Sequence, residues 1–153
     1  MDIAKRDLLI LSALRQNSRR TLTQMSKLTK VPISTLHEII RAKEGWKFTV
    51  LTDFAQWGYT TKAQVLLKLR KEDKNAARGF LQAHILVNSL YKVNNGYDFM
   101  CEVICRNLND LEDFLDAVDE RFKIKGKEIH HIMEDVKREG FLSHPDIAQA
   151  LGA

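Results

Sequence analysis

Apolar positions recur with the period of a helix along the first forty residues, and with the period of a strand beyond Lys62. Ile3 to Gln16 reads as a helix, with Asp7, Ile10, Leu11 and Leu14 on one face and Leu8 beside it. Asn17-Ser18-Arg19-Arg20 interrupts the pattern. Thr21-Leu22-Thr23-Gln24 then has the form of a capping box, in which hydroxyl and amide satisfy backbone donors at a helix start. Leu22, Met25 and Leu28 give this second helix a short apolar face, and Val31-Pro32 is expected to end it, because a residue before proline avoids helical geometry. Ser34 is the expected N-cap of a third helix that buries Leu36, Ile39 and Ile40.

From Lys62, Ala63, Val65, Leu67 and Leu69 alternate with Gln64, Leu66, Lys68 and Arg70 as in a half-buried strand. A helix after Glu72-Asp73 would set Ala77, Phe80, Leu81 and His84 on one face. A second strand is expected to face Val87, Ser89, Tyr91 and Val93 one way, and Asn94-Asn95-Gly96 is a turn signal. The third strand runs from Asp98 to Arg106. Asn109-Asp110-Leu111-Glu112 is the expected cap of a helix carrying Phe114, Leu115, Val118 and Phe122, and a fourth strand runs from about Glu128 through Val136. The fold class is therefore α+β: an N-terminal helix-turn-helix, then a ferredoxin-like βαββαβ domain with an antiparallel sheet. The expected division is 1–46 for the helix-turn-helix, 47–61 for a connecting strand (Lys47 to Thr52) and linker, 62–140 for the sheet domain, and 141–153 for a tail with a short helix. Both helices cover one sheet face, so the other is expected to be covered by self-association.

Charge sharpens this division. Through Lys47 there are ten basic residues against four acidic ones; the remainder holds fourteen against sixteen. A basic front on a slightly acidic body suits a polyanion at the front only. On the third helix the outward positions are Ser34, Thr35, His37, Glu38 and Arg41. Hydroxyls reach phosphates or base edges, arginine pairs bidentately with guanine, and glutamate accepts from cytosine. Arg19, Arg20, Lys27 and Lys30 are placed to meet phosphates of double-stranded DNA. A three-helix bundle without nucleic acid has the same apolar pattern, and the charge excess and polar third helix favour DNA.

The chain resembles the Lrp/AsnC, or feast/famine, family over about Ile3 to Lys137. Ile3-x-x-x-Asp7-x-x-Ile10-Leu11-x-x-Leu14-x-x-Asn17-x-Arg19 is similar to the family's opening helix and turn, and Val31-Pro32-Ile33-Ser34-Thr35-Leu36-His37-Glu38-Ile39 to the start of its recognition helix. Asp53-x-x-x-x-Gly58-Tyr59 resembles the linker, and Gly96-Tyr97-Asp98-Phe99 the turn into the third strand. The resemblance implies a transcriptional regulator that binds DNA, self-associates to dimers and on to octamers, and responds to an amino-acid effector. Carried over, the effector turn is Asn94, Asn95, Gly96, Tyr97 and Asp98, with Asp98 and backbone donors meeting ammonium and carboxylate. The chain departs from the family where Asn95 holds the usual place of the turn glycine, where Ala42 to Lys47 is short, and where Ile129 replaces a threonine opening the last strand.

Other features suggest less chemistry. His130 and His131 are adjacent, so on a strand they face opposite sides, and no metal site is expected. Cys101 and Cys105 share a face about 13 Å apart, beyond disulfide reach, and read as small buried hydrophobes. Trp46 and Trp57 are expected to pack the domain junction, and His84 to sit at a core edge. No catalytic residue or cofactor is expected. An alternative is a decarboxylase of sirohaem-type tetrapyrroles using His130, His131 and Arg106, which some family-like proteins with this layout are; another is a metabolite-sensing oligomer with little DNA binding. With no secretory signal and no apolar run long enough for a span, the expected location is cytoplasmic.

Overall fold

The computed structural model describes residues 5–144 together with Asp146. The terminal helix expected at Ile147 to Leu151 lies outside the described residues. The chain forms two compact units: one holds the described residues up to Val50 and from Val136 onward, the other Leu51–Asp135.

The first unit contains α1 (Lys5–Gln16), α2 (Leu22–Thr29) and α3 (Ile33–Ala42) around Ile10, Ala13, Met25, Val31 and Leu36. The capping box forms: the Gln24 amide N–H donates to Thr21 Oγ1 at 3.2 Å, and the Thr21 N–H to Gln24 Oε1 at 3.0 Å. α2 ends two residues before Val31-Pro32, at a left-handed Lys30 (φ 59°) whose N–H bonds the Ser26 carbonyl. α3 begins two residues earlier than expected. Pro32 is its N-cap and makes no side-chain cap, so Ser34 is a second-position residue and not the cap. Proline has no N–H to satisfy, and Pro32 holds an extended φ/ψ (−56°, 146°) from which the helix can start without a side-chain acceptor.

The chain from Lys47 to Thr52 is not a strand. Its alternation is real, but a strand needs a paired neighbouring strand, and among the described residues none pairs with it; Val50 is 83% exposed. A short 3₁₀ turn, Phe54–Trp57, follows, with Asp53 Oδ1 accepting the Ala55 N–H and Gly58 at φ +85°.

The second unit has the order β1 (Thr61–Leu69), α4 (Lys74–Ala83), β2 (Val87–Lys92), β3 (Phe99–Cys105), α5 (Leu108–Arg121), β4 (Ile124–His131). The sheet is antiparallel in the order β2-β3-β1-β4, the ferredoxin-like arrangement. Both helices pack on one face, where Ala63, Val65, Leu67, Phe99, Cys101 and Val103 meet Leu81, Leu111, Phe114 and Val118. Three expectations shift. In β2 the register slips between Val87 and Ser89, so Val87 and Leu90 reach the core while Tyr91 stays 51% exposed. An extra residue in a strand exchanges its faces, which alternation cannot anticipate. α5 starts earlier, at an Asn107 cap whose Oδ1 accepts the Asp110 N–H at 3.0 Å, not at Asn109. β4 lies four residues nearer α5 than expected, because Phe122 leads straight from helix to strand; Ile132 N–H donates to Lys62 O just beyond it, and the chain then leaves the sheet.

Candidate nucleic-acid interface and effector turn

Helical spacing in α3 puts Ser34, His37, Glu38 and Arg41 on one stripe at i, i+3, i+4 and i+7, and all four are exposed. Thr35 lies off this stripe and is half-buried. Leu36, fully buried, anchors the opposite side. Asp7, buried on α1, receives Lys43 Nζ at 2.5 Å and so ties α1 to the C-cap of α3. The Lys43 hydrogen bond, opposed by burial, holds the Asp7 carboxyl below its ordinary range.

The cations of this unit divide by what they touch. Arg20 donates to the Ala13 carbonyl at 2.8 Å and to Gln16 Oε1 at 3.2 Å, closing the end of α1. Arg15 donates to the carbonyls of Phe141 (2.6 Å) and Glu139 (2.9 Å) and to the Glu139 carboxylate (2.9 Å), fastening the segment after Val136 to α1. Among the described residues, the side chains of Arg19, Lys27, Lys30 and Arg41 have no protein partner, and all four are exposed. Four of the anticipated cations are thus unpaired, and the fifth, Arg20, is committed to α1.

In the second unit the turn after β2 takes the backbone its residues suggest, with Asn95 at φ 63° and Gly96 at φ 96°. Asn94, Asn95 and Gly96 are exposed, and the Val93 N–H closes the hairpin on the Asp98 carbonyl at 3.1 Å. Asp98 is already engaged: Oδ2 accepts the Leu69 N–H at 2.8 Å and Oδ1 pairs with Lys74 Nζ at 2.5 Å. Burial disfavours its charge, but Lys74 and the Leu69 amide outweigh that and keep the carboxyl below the usual range. Tyr97 reaches across to β4, its hydroxyl donating to Glu128 Oε1 at 2.5 Å. That bond raises the Tyr97 phenol and lowers the Glu128 carboxyl.

A family profile, the Lrp/AsnC ligand binding domain, matches residues 62–142. The chain belongs to the Lrp/AsnC family. The HTH-type transcriptional regulator FL11 of Pyrococcus horikoshii is 28% identical over 128 residues, covering 81% of this chain and 83% of that protein. FL11 of Pyrococcus furiosus matches to the same extent. Among solved structures, Neisseria meningitidis regulator NMB0573 in complex with L-Met aligns with a TM-score of 0.79 at 17% identity, over 89% of this chain and 93% of that one. B. subtilis LrpC aligns at 0.77 with 18% identity, over 90% and 99%. These structures share the fold of this Lrp/AsnC chain.

Within that frame, sequence reasoning passed over Ile33. Because α3 starts at Ile33, this side chain stands at the helix N-terminus, 46% exposed beside Ser34. The signal was available, since a residue just after a proline N-cap is a first-turn residue. His130 pairs across to Gln64 and His131 to Ala63, so the two face opposite sides of the sheet; His130 Nε2 lies 3.4 Å from Glu128 Oε2. Trp46 packs against the core of the first unit, whereas Trp57 is 72% exposed, its indole N–H on the Thr52 hydroxyl at 3.2 Å.

Proposed function

We propose that this Lrp/AsnC chain is a homo-oligomeric, DNA-binding transcriptional regulator modulated by a small molecule such as an amino acid, acting in the cytoplasm. The observation that carries the DNA reading is the exposed α3 stripe, Ser34, His37, Glu38 and Arg41, flanked by the unpaired cations Arg19, Lys27 and Lys30. In a helix-turn-helix the second motif helix enters the major groove with its N-terminal residues at base edges. Ser34, His37, Glu38 and Arg41 then read bases, Ile33 adds an apolar contact for a thymine methyl, and Arg19, Lys27 and Lys30 hold phosphates. Thr35 and Arg20 serve the fold more than the duplex.

Self-association is supported by the sheet face turned away from the helices. Tyr91, Met100 and Leu66 lie side by side across β2, β3 and β1 on that face, an apolar row that a second copy would cover. Assembly of dimers to octamers follows the family pattern. NMB0573 was solved with L-Met, and an amino acid is accordingly the first effector to test here. At the turn its ammonium would compete with Lys74 for Asp98, leaving the backbone of Asn94 to Tyr97 as the freer partner.

A gel-shift on the gene's own upstream region, repeated across a salt titration, tests the reading. The three phosphate-facing cations of each protomer, Arg19, Lys27 and Lys30, make about six phosphate contacts in a dimer, for which affinity falls roughly 10³-fold between about 50 and 200 mM salt. Absence of retardation on any duplex at low salt would remove it. Thermal stabilisation by single amino acids tests the effector: about 2.7 kcal/mol is expected at a hundred times the dissociation constant, and a flat response to all twenty would refute this part alone.

A further inference from the structure

The second unit has an open surface groove of about 710 Å³ that the effector turn does not line. Arg70, from the end of β1, faces the run from Phe122 to Lys127 that leads out of α5 into β4. Four cations therefore line it (Arg70, Lys123, Lys125 and Lys127) against one carboxylate, Asp119. Asp119 is matched to Lys127 at 2.6 Å. Arg70 has only Glu72, at a long 3.9 Å, and the side chains of Lys123 and Lys125 pair with nothing among the described residues.

Lys123 and Lys125 thus face the groove without a side-chain partner, beside an Arg70 held only loosely by Glu72, so an entering anion meets an excess of positive charge. The local backbone helps to make the space. The register of β4 on β1 shifts between Lys68 and Leu69, so that Leu69 pairs with Ile124 and Lys68 with Gly126, leaving Lys125 unmatched between them. Phe122 and Ile124, both half-buried against the core, supply an apolar side. We propose that this open groove binds a phosphate-bearing small molecule with two or three negative charges and an apolar or aromatic body, of which a nucleoside di- or triphosphate is the general type. A zwitterionic amino acid, with no net charge, leaves most of the cation excess unmatched. The site is in a different unit from α3, and DNA binding neither requires it nor follows from it.

The test uses the full-length protein in calorimetric titrations at about 150 mM salt, where exposed charges are strongly screened. Titrants are ATP, inorganic pyrophosphate and orthophosphate, with leucine and methionine as uncharged controls. The exposed pair Lys123→Ala/Lys125→Ala is compared with Lys123→Arg/Lys125→Arg, an unchanged melting midpoint certifying each fold. The expected result is saturable ATP binding, weaker pyrophosphate binding, a loss of about tenfold or more in the alanine pair, and retention in the arginine pair. Saturation by pyrophosphate alone would reject the apolar wall as part of the site. The proposal is overturned if neither polyphosphate saturates, or if the alanine pair binds ATP as wild type does. It is overturned equally if the alanine pair loses DNA affinity as strongly as ATP affinity, since the groove would then serve the duplex.

Discussion

Replacing Lys43 by methionine should destabilise the first unit selectively and in a pH-dependent way. The variant keeps the aliphatic stem but removes the ammonium that lies 2.5 Å from Asp7 Oδ2. The Asp7 side chain is 11% exposed and its Oδ1 has no hydrogen-bond partner, so the variant leaves a nearly buried carboxylate with only the exposed Arg6 guanidinium, 3.6 Å from Oδ1, as counter-charge. A hydrogen bond to a charged group contributes about 1.5–3 kcal/mol. The Lys43 side chain is 38% exposed, which screens the pair and favours the lower end, about 1.5 kcal/mol. For a small domain that corresponds to a fall of about 6–12 °C in melting midpoint. Trp46 packs on this unit's core and Trp57 is exposed in the other, so fluorescence melts in a Trp57→Phe background read the relevant transition. The sign with pH follows from the depressed carboxyl. In wild type the pair's contribution is complete above the unfolded value of 3.8 and is lost as pH falls through the lower folded value. In the variant burial, which raises the Asp7 carboxyl, is opposed only by Arg6, so the carboxyl is less depressed and acidification costs the variant less than it costs the wild type. The gap between the two must therefore narrow as pH falls from about 6 to about 3. Equal midpoints near neutral pH, or a gap that ignores acid, would refute the assignment of Asp7–Lys43 as the tie between α1 and α3.

Arg41→Ala should cost about 1–3 kcal/mol on the best operator and relax preference at one base, whereas Lys27→Ala should weaken all sequences alike and lower the salt slope by about one; selection followed by gel-shift separates the two. Ile33→Ala should abolish any penalty for replacing thymine by deoxyuridine in the operator, and an undiminished penalty in the variant would place the methyl contact elsewhere. Arg15→Ala should release the segment after Val136 from α1, and limited trypsin digestion should then cut faster at Lys137 and Arg138 with the second unit intact. Burial pushes the Cys101 thiol up to about 12, so a thiol reagent at about pH 8 should label it only on unfolding; rapid native labelling would contradict the packed strand.

The parts of the fold legible in the sequence were those fixed by local chemistry or by one buried face. The Thr21–Gln24 box was readable because both hydrogen bonds join residues three apart. Ala63 to Leu69 was readable because every second residue enters one core, and Asn95-Gly96 because both take positive φ. What escaped depended on partners distant in the chain. The slip at Val87–Ser89 is set by where β3 offers its hydrogen bonds, and it decides that Leu90, not Tyr91, packs half-buried against the core. Asn107 and Asn109 are equally good caps by composition, and the earlier one is used because Asp110 then also accepts the Arg106 N–H at 3.2 Å. Lys47 to Thr52 has a strand's pattern without a strand's neighbour.

For the site, the sequence located the charge but not its availability. Arg15, Arg19 and Arg20 look alike in a string, yet two of them lie where the carbonyl ends of α1 or the returning segment can engage them, and one does not. A helix C-terminus attracts cations and satisfies its own carbonyls with them, so an arginine there is spent on folding before any ligand arrives. The same distinction separates Lys127, bound to Asp119, from Lys123 and Lys125 on the adjacent backbone. Unpaired rather than total charge is what a polyanion meets, because a neutralised cation returns little when its partner must be displaced. Applied to each unit by itself, that criterion yields two separate sets: Arg19, Lys27, Lys30 and Arg41 in one, Lys123 and Lys125 in the other, with Arg70 beside them only loosely paired to Glu72. A protein using both for a single duplex would lose DNA affinity when either set is removed. One with a duplex site and a phosphate-metabolite site would lose one ligand at a time, and the variants above separate those behaviours.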